Sequence, residues 1–249
     1  MTHSEQAIRN YLKQNHYNRF NLRAALIDMD GVLYDSMKNH TLAWKQFADS
    51  LGIEATREEF YLYEGMTGAA TIRLLFQRQF QKEVTPEEAK ELYKIKAENF
   101  RNSGRVEMMP GAHDMLSCLK NNNIERVLVT GSGQVDMLKR LDVEYAGLFE
   151  PNLRISAADV KHGKPNPEPY LMAQKRVSTA PGQCIVIENA PLGVKAGHDS
   201  GAFTIAITTG PIPRQRLIEN GADLVFGSMQ EFADYLPTLI NEFKCITIE

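Results

Sequence analysis

The sequence predicts an α/β protein: a doubly wound parallel sheet with a helical unit inserted after its first strand. Apolar runs at Ala24–Asp28, Val127–Thr130, Ile185–Glu188, Thr204–Ile207 and Asp223–Phe226 alternate with stretches of helical period, as in a parallel sheet covered on both faces. Between Met37 and Glu107 no strand-type run occurs. Polar residues sit at the carboxyl ends of the apolar runs, where such sheets carry their ligands.

Taken in order, residues 4–18 place Ala7, Ile8, Tyr11 and Leu12 at helical spacing. This gives a helical extension, residues 1–21, that packs on the body. Strand Ala24–Asp28 follows and breaks at Asp30-Gly31. In the insert, residues 37–107, Leu42, Trp44, Phe47 and Leu51 recur at a helical period and Gly52 is a stop. Thr56 with Glu59, and Thr85 with Glu88 beside Pro86, match helix-start signatures. Hinges are expected near Ser36 and Val106, and Trp44, Phe47, Phe60, Tyr61 and Tyr63 are assigned to the insert's own core. After Pro110-Gly111 come a helix from Ala112 to Lys120, strand Val127–Thr130, a helix from Gln134 to Leu141 and a short strand near Arg154–Ser156. A proline-rich loop, Gly163–Pro169, then opens another helix. Strand Ile185–Glu188, helix 191–199 and two further strands close the series. Residues 22–36 and 108–249 thus form the core.

Composition bounds the function. A hydrophobic share of 43% over 249 residues supports a sizeable core. Basic residues number 28 against 31 acidic, and no basic block suggests nucleic acid. The amino terminus lacks the layout of a signal peptide, and no apolar run approaches the roughly 18 residues that span a bilayer. The three cysteines are odd in number and dispersed, suggesting neither a disulfide frame nor a zinc site. A cytoplasmic monomer acting on a small molecule is expected, without nucleic-acid or membrane partners.

The chemistry concentrates where strand one ends. Residues two apart in a strand share a face, so Asp28 and Asp30 project together, with Gly31 permitting the turn. Asp-Met-Asp-Gly is also an ordinary turn composition. Two carboxylates this close need a metal, a shared proton, or both. Thr130 and Ser132, Lys164, and Glu188 with Asn189 converge on the same sheet edge. Together they offer acids for a divalent cation, a hydroxyl and amides for an anion, and a lysine for charge. A phosphoryl group on a hard metal ion fits.

These residues resemble the four motifs of the haloacid dehalogenase-like (HAD) phosphotransferases: Asp28-Met29-Asp30-Gly31-Val32-Leu33, Thr130 after an apolar strand, Lys164 before Pro165, and Glu188-Asn189 near Gly193-Val194. The helical insert resembles that superfamily's cap, and residues 22–236 are similar to its β-phosphoglucomutase-like subgroup. The resemblance implies a Rossmann-like HAD core and an Mg2+-dependent enzyme. Asp28 would be the nucleophile that forms an aspartyl phosphate. Asp30 would be the general acid and base, its pKa raised by the like charge on Asp28. Thr130 would bind a phosphoryl oxygen, and Lys164 would neutralise charge. Mg2+ would sit on Asp28, the Asp30 carbonyl, Glu188 and Asn189. Gly131, Ser132 and Gln134 beside Thr130, with His40 and Thr67 from the cap, are the candidate substrate contacts.

Departures from the subgroup narrow the expectation. Its members usually carry Asp where Asn189 stands, so the metal loses one negative ligand. Its mutases carry a lysine and an arginine, which grip a distal phosphate, where this chain has Glu64 and Gly68, and a further lysine where it has Gly133. Glu64 is therefore expected to swing onto the metal and restore the charge. Loss of those cations favours hydrolysis over mutase chemistry. An inorganic pyrophosphatase of the subgroup shares the Glu-Asn-Ala-Pro-Leu-Gly stretch at 188–193, so pyrophosphate is the favoured substrate. The alternatives are a β-phosphoglucomutase and, from another class, a catalytically silent binding module, which could lose Asp28 freely.

Overall fold

The structure, a computed structural model, describes residues 1–133 and 135–248. In chain order its elements are helix α1 (His3–Gln14), strands β1 (Ala24–Ile27) and β2 (Tyr34–Asp35), helices α2 (Met37–Ser50), α3 (Arg57–Leu62), α4 (Gly68–Phe80) and α5 (Pro86–Asn102), and strand β3 (Glu107–Met108). There follow α6 (Ala112–Asn121), β4 (Glu125–Val129), α7 (Val135–Glu144), β5 (Arg154–Ile155), α8 (Glu168–Arg176), β6 (Cys184–Glu188), α9 (Pro191–Asp199), β7 (Phe203–Ile207), α10 (Arg214–Glu219), β8 (Leu224–Phe226) and α11 (Met229–Cys245).

Six strands form a sheet of order β5-β4-β1-β6-β7-β8, every pairing parallel. Side-chain alternation sends successive residues to opposite faces. Ala25 and Ile27 join a large cluster with Ile8, Leu116, Leu236 and Phe243, whereas Ala24 and Leu26 join Tyr170, Ala173 and Ala196. The strands are therefore apolar on both faces, which is why they read as continuous runs. Register sets the site. Ile27 lies opposite both Leu128 and Ile187, so Asp28, Thr130 and Glu188 emerge at one edge.

Helices α2 to α5 pack around an apolar cluster of their own that includes Trp44, Phe47, Phe60, Ile72, Leu75 and Ala89. The expected caps form at α3 and α5: Thr56 and Thr85 each accept from the backbone of the glutamate three residues on, which reaches back in turn. At the foot of this unit β2 and β3 pair antiparallel, near the expected hinges; the ribbon itself was not foreseen, since two-residue strands carry no periodicity. Helix α11 also goes beyond the sequence reading, although Phe232, Leu236, Leu239, Ile240 and Phe243 all lie on its buried face. Phe243 stacks on Phe20 at 4.3 Å between ring centroids. No helix among the described residues is long and apolar enough to cross a membrane.

Candidate active site

At the carboxyl edge of the sheet, Asp28 follows β1 directly and donates its amide to the Ile187 carbonyl at 3.1 Å. The chain then folds sharply: Leu33 and Tyr34 both bond back to the Met29 carbonyl. Gly31 stands in this turn at φ +81°, and a Cβ there would fall 2.0 Å from Asn189 Nδ2. Glycine is required twice over, by conformation and by the approach of Asn189.

Lys164 is the hub. It is 2% exposed and donates to Asp28 Oδ1 at 2.5 Å, Glu188 Oε1 at 2.6 Å and the Val129 carbonyl at 3.1 Å. Two carboxylates raise its pKa despite burial, so it stays charged. Burial pushes the Asp28 carboxyl up to about 8 against the pull of Lys164. Glu188 is spent on hydrogen bonds. Its Oε1 also accepts from the Tyr170 hydroxyl at 2.8 Å, and its Oε2 accepts from the amides of Asn189 and Ala190. Four donors fill the lone-pair sites of one carboxylate.

Asn189 turns the other way. Its Nδ2 donates to Glu64 Oε1 at 3.2 Å across the junction between cap and core. The remaining oxygens of this pair, Asn189 Oδ1 and Glu64 Oε2, are buried and have no partner. Burial, then the charge on Asp28, raise the Glu64 carboxyl well above the usual range. Unsatisfied buried oxygens of this kind are rare and costly.

Asp30 faces a separate relay. Its Oδ1 accepts from Ser36 Oγ at 2.6 Å and from His40 Nε2 at 3.0 Å, while His40 Nδ1 meets Lys96 Nζ at 2.7 Å. A neutral imidazole protonated on Nε2 satisfies both contacts, in keeping with its lowered pKa from burial and the Lys96 ammonium. Burial pushes Lys96 itself down to about 7, and its ammonium lies over the rings of Phe100, Trp44 and Tyr93. A cavity of about 60 Å3 opens between these groups, with Asp28 and Asp30 against Trp44, Tyr63, Glu64 and Tyr93.

Most of the expected site residues meet here: Asp28, Asp30, His40, Glu64, Thr130, Gly131 and Ser132 line the cavity, with Lys164, Glu188 and Asn189 directly beneath. Several expectations need correction. Asp30 was expected to be raised by Asp28; burial does raise it, but His40 and the hydrogen bonds from His40 and Ser36 outweigh burial and leave it below the usual carboxylate range. Glu188, expected on the metal, accepts in this structure from Lys164, Tyr170 and the amides that open α9. Thr67 was expected against substrate, yet its side chain caps α4 by accepting from Ala70 N at 3.3 Å. The Ser132 amide donates to Thr130 Oγ1 at 3.0 Å, binding that loop to itself. Gln134 lies outside the described residues. Among these residues, moreover, no three His, Cys, Asp or Glu side chains stand together as a cation cluster; the open set is mixed, two carboxylates and an amide. Trp44, Phe60 and Tyr63 are both cap core and cavity wall.

Ser36, Lys96 and Tyr170 were missed. Lys96 had a signal: it shares the buried face of α5 with Ala89 and Phe100, at spacings of seven and four, where a lysine is out of place. Tyr170 gave none, because its partner Glu188 is remote in sequence. Tyr170→Phe should cost about 1 kcal/mol and loosen Lys164. Thermal melts should show a drop of roughly 2–4 °C; an unchanged Tm would remove Tyr170 from the network.

Comparison with known proteins agrees with this geometry. Residues 25–207 match the family described as haloacid dehalogenase-like hydrolase. Hexitol phosphatase A of Escherichia coli is 31% identical over 206 residues, 83% of this chain and 91% of the relative. The beta-phosphoglucomutase of Bacillus subtilis is 26% identical over 229 residues, covering 89% and 95%. A solved structure from Bacteroides vulgatus, provisionally named a beta-phosphoglucomutase, is 45% identical and superimposes with a TM-score of 0.93 over 97% of this chain and 98% of its own. An Asp-x-Asp turn at the central strand, a lysine clamped between two acids and a helical cap over both therefore belong to a family match that spans most of the core: this chain is a member of the haloacid dehalogenase-like hydrolases, enzymes of phosphoryl transfer.

Proposed function

We propose that the chain is a magnesium-dependent phosphohydrolase that works through an aspartyl phosphate on Asp28, with pyrophosphate as its favoured substrate among small phosphorylated metabolites. The observation that carries this reading is the pair of orphaned oxygens, Glu64 Oε2 and Asn189 Oδ1, beside the cavity that Asp28 faces. Oxygens of this type and placement fit a hard divalent cation. Asp28, Glu64 and Asn189 would hold Mg2+, which when bound offsets charge on the phosphoryl oxygens.

The chain's own residues account for the rest. Lys164 holds Asp28 Oδ1 and leaves Oδ2 to attack phosphorus. A bond forms from Asp28 to phosphorus as the bond to the leaving oxygen breaks, and Asp30 gives that oxygen a proton. Water then attacks the phosphoryl group, Asp30 takes its proton, and the bond to Asp28 breaks to release inorganic phosphate. An arriving phosphate carries negative charge that favours protonated Asp30, opposing the hydrogen bonds that hold it ionised in this structure. The small cavity supports pyrophosphate over longer substrates, whereas the relatives named above point to hexitol and glucose phosphates.

Phosphate release should therefore require Mg2+ and be fastest with pyrophosphate, then fall sharply with glucitol 6-phosphate. Comparable rates on both would overturn the pyrophosphate assignment. Conversion of β-glucose 1-phosphate to glucose 6-phosphate without free phosphate would make the chain a mutase.

A further inference from the structure

We propose that Tyr61 is a positioning residue: its ring, seated on the core, holds the end of α3 down at the sheet edge and so keeps Glu64 beside Asn189. The proposal deepens the hydrolase reading and rests on it for Glu64 as a cation ligand. Helical spacing groups Tyr61 with the cap's own aromatics, next to Phe60, but the structure parts the two. Phe60 is buried in the cap cluster, its ring stacked on Trp44 at 5.9 Å between centroids. One residue on, about 100° round the helix, Tyr61 packs instead against the core's buried cluster of Val194, Ala206, Ile212, Leu217 and Val225. Gly210, in the loop after β7, lies beside the ring: a Cβ there would stand 3.5 Å from Tyr61 Cε1.

Two adjacent side chains thus fasten α3 to both bodies. Glu64 follows Tyr61 by three residues, in the turn that continues the helix, which places it one turn along on the same side. There Asn189 Nδ2 donates to Glu64 Oε1 at 3.2 Å. A Cβ on the next residue, Gly65, would stand 3.5 Å from the amide nitrogen of Gly193, beside Val194 of the cluster that seats the ring. The footing also reaches the Asp-x-Asp turn, because Thr209 Oγ1, next to Gly210, donates to the Gly31 carbonyl at 2.7 Å. Burying Glu64 with Oε2 unpartnered costs free energy, and one 3.2 Å hydrogen bond is a weak return. Apolar contact by an aromatic ring supplies what that bond lacks. The ring lies outside the cavity lining, so it acts on the site only through the loop that carries Glu64.

The test measures Mg2+ binding, so it does not depend on turnover. Calorimetric titration of Mg2+ compares the unaltered chain with Tyr61→Phe, Tyr61→Ala, Glu64→Gln and the double substitution Tyr61→Ala with Glu64→Gln. Tyr61→Ala should weaken Mg2+ about tenfold or more, as removal of a group that orients a ligand does. Tyr61→Phe should stay within about twofold, because ring carbons make the contact. In the Glu64→Gln background Tyr61→Ala should have less than about a twofold effect, since the ligand it positions is already gone. Tyr61→Leu, apolar but too short to reach Gly210, should give the same pattern and stands in if Tyr61→Ala fails to fold. A merely structural role would lower the metal-free Tm and weaken Mg2+ equally with and without Glu64; that result, or an unchanged affinity in Tyr61→Ala, overturns the proposal. Failure of the underlying reading is separate: Glu64→Gln would then bind Mg2+ as tightly as the unaltered chain, and the proposal would fall with it.

Discussion

Asp28→Asn should lower phosphate release by about a thousandfold or more while leaving the fold intact. Removal of a covalent nucleophile costs this order of rate because the whole two-step route is lost rather than one contact within it. The structure explains why the fold should survive. Asparagine matches aspartate in shape, and Lys164 keeps Glu188 Oε1 at 2.6 Å and the Val129 carbonyl at 3.1 Å. One buried carboxylate is removed from a site in which burial already pushes it towards the neutral form, so thermal melts should show no loss of stability. Acid-quenched enzyme should yield a hydroxylamine-labile phosphoryl adduct from the unaltered protein and none from the variant. Retention of a tenth of the rate would show that phosphorus is attacked directly by water, and the aspartyl-phosphate route would fall.

The parts of this site legible in sequence are those fixed by strand geometry. Asp28 and Asp30 could be read because an apolar run ended on them with a spacing of two, and Thr130 and Glu188 because each ended another run. A parallel sheet needs no further information to bring such residues to one edge. What could not be read is how oxygens are shared among donors once they meet. Glu188 and Asn189 are adjacent and both end on the same loop, yet the carboxylate turns to Lys164 while the amide turns to Glu64. That choice depends on Tyr170 and on the amides opening α9, neither visible in a local motif. The protonation of Asp30 failed for the same reason. Like charge from Asp28 was the only neighbour the sequence offered, whereas Ser36, His40 and Lys96 arrive through the packing of α2 against α5. Thr67 shows the converse: a residue in a promising stretch was claimed by local capping.

Glu64→Gln should weaken Mg2+ about a hundredfold, and Asn189→Asp in the same chain should recover most of the loss. The substitution keeps an Oε1 that can accept from Asn189 Nδ2, so the 3.2 Å contact across the junction persists and the cap stays seated. What disappears is charge at the unpartnered Oε2. Hard cations are bound largely by the number of charged oxygens around them, and here an amide already occupies one place. Asp28 and Glu64 are then the carboxylates left, and losing either should be severe. The effect reads out without turnover. At a Mg2+ concentration a hundred times the dissociation constant, bound metal stabilises the native state by about 2.7 kcal/mol; with binding a hundredfold weaker the same concentration gives about 0.4 kcal/mol. For a chain of this size the difference corresponds to roughly 5–9 °C in the Mg2+-dependent part of Tm. Isothermal titration should give the same ratio directly. The double substitution carries the argument, because it moves the carboxylate from cap to core while conserving the charge count. Recovery of Mg2+ affinity would mean that the cation counts charges at this junction whichever element supplies them. Failure to recover, with Glu64→Gln alone already weak, would mean that the cap must deliver the ligand itself. An unaltered Mg2+ affinity in Glu64→Gln would remove Glu64 from the cation altogether and leave its buried oxygen to be explained by substrate.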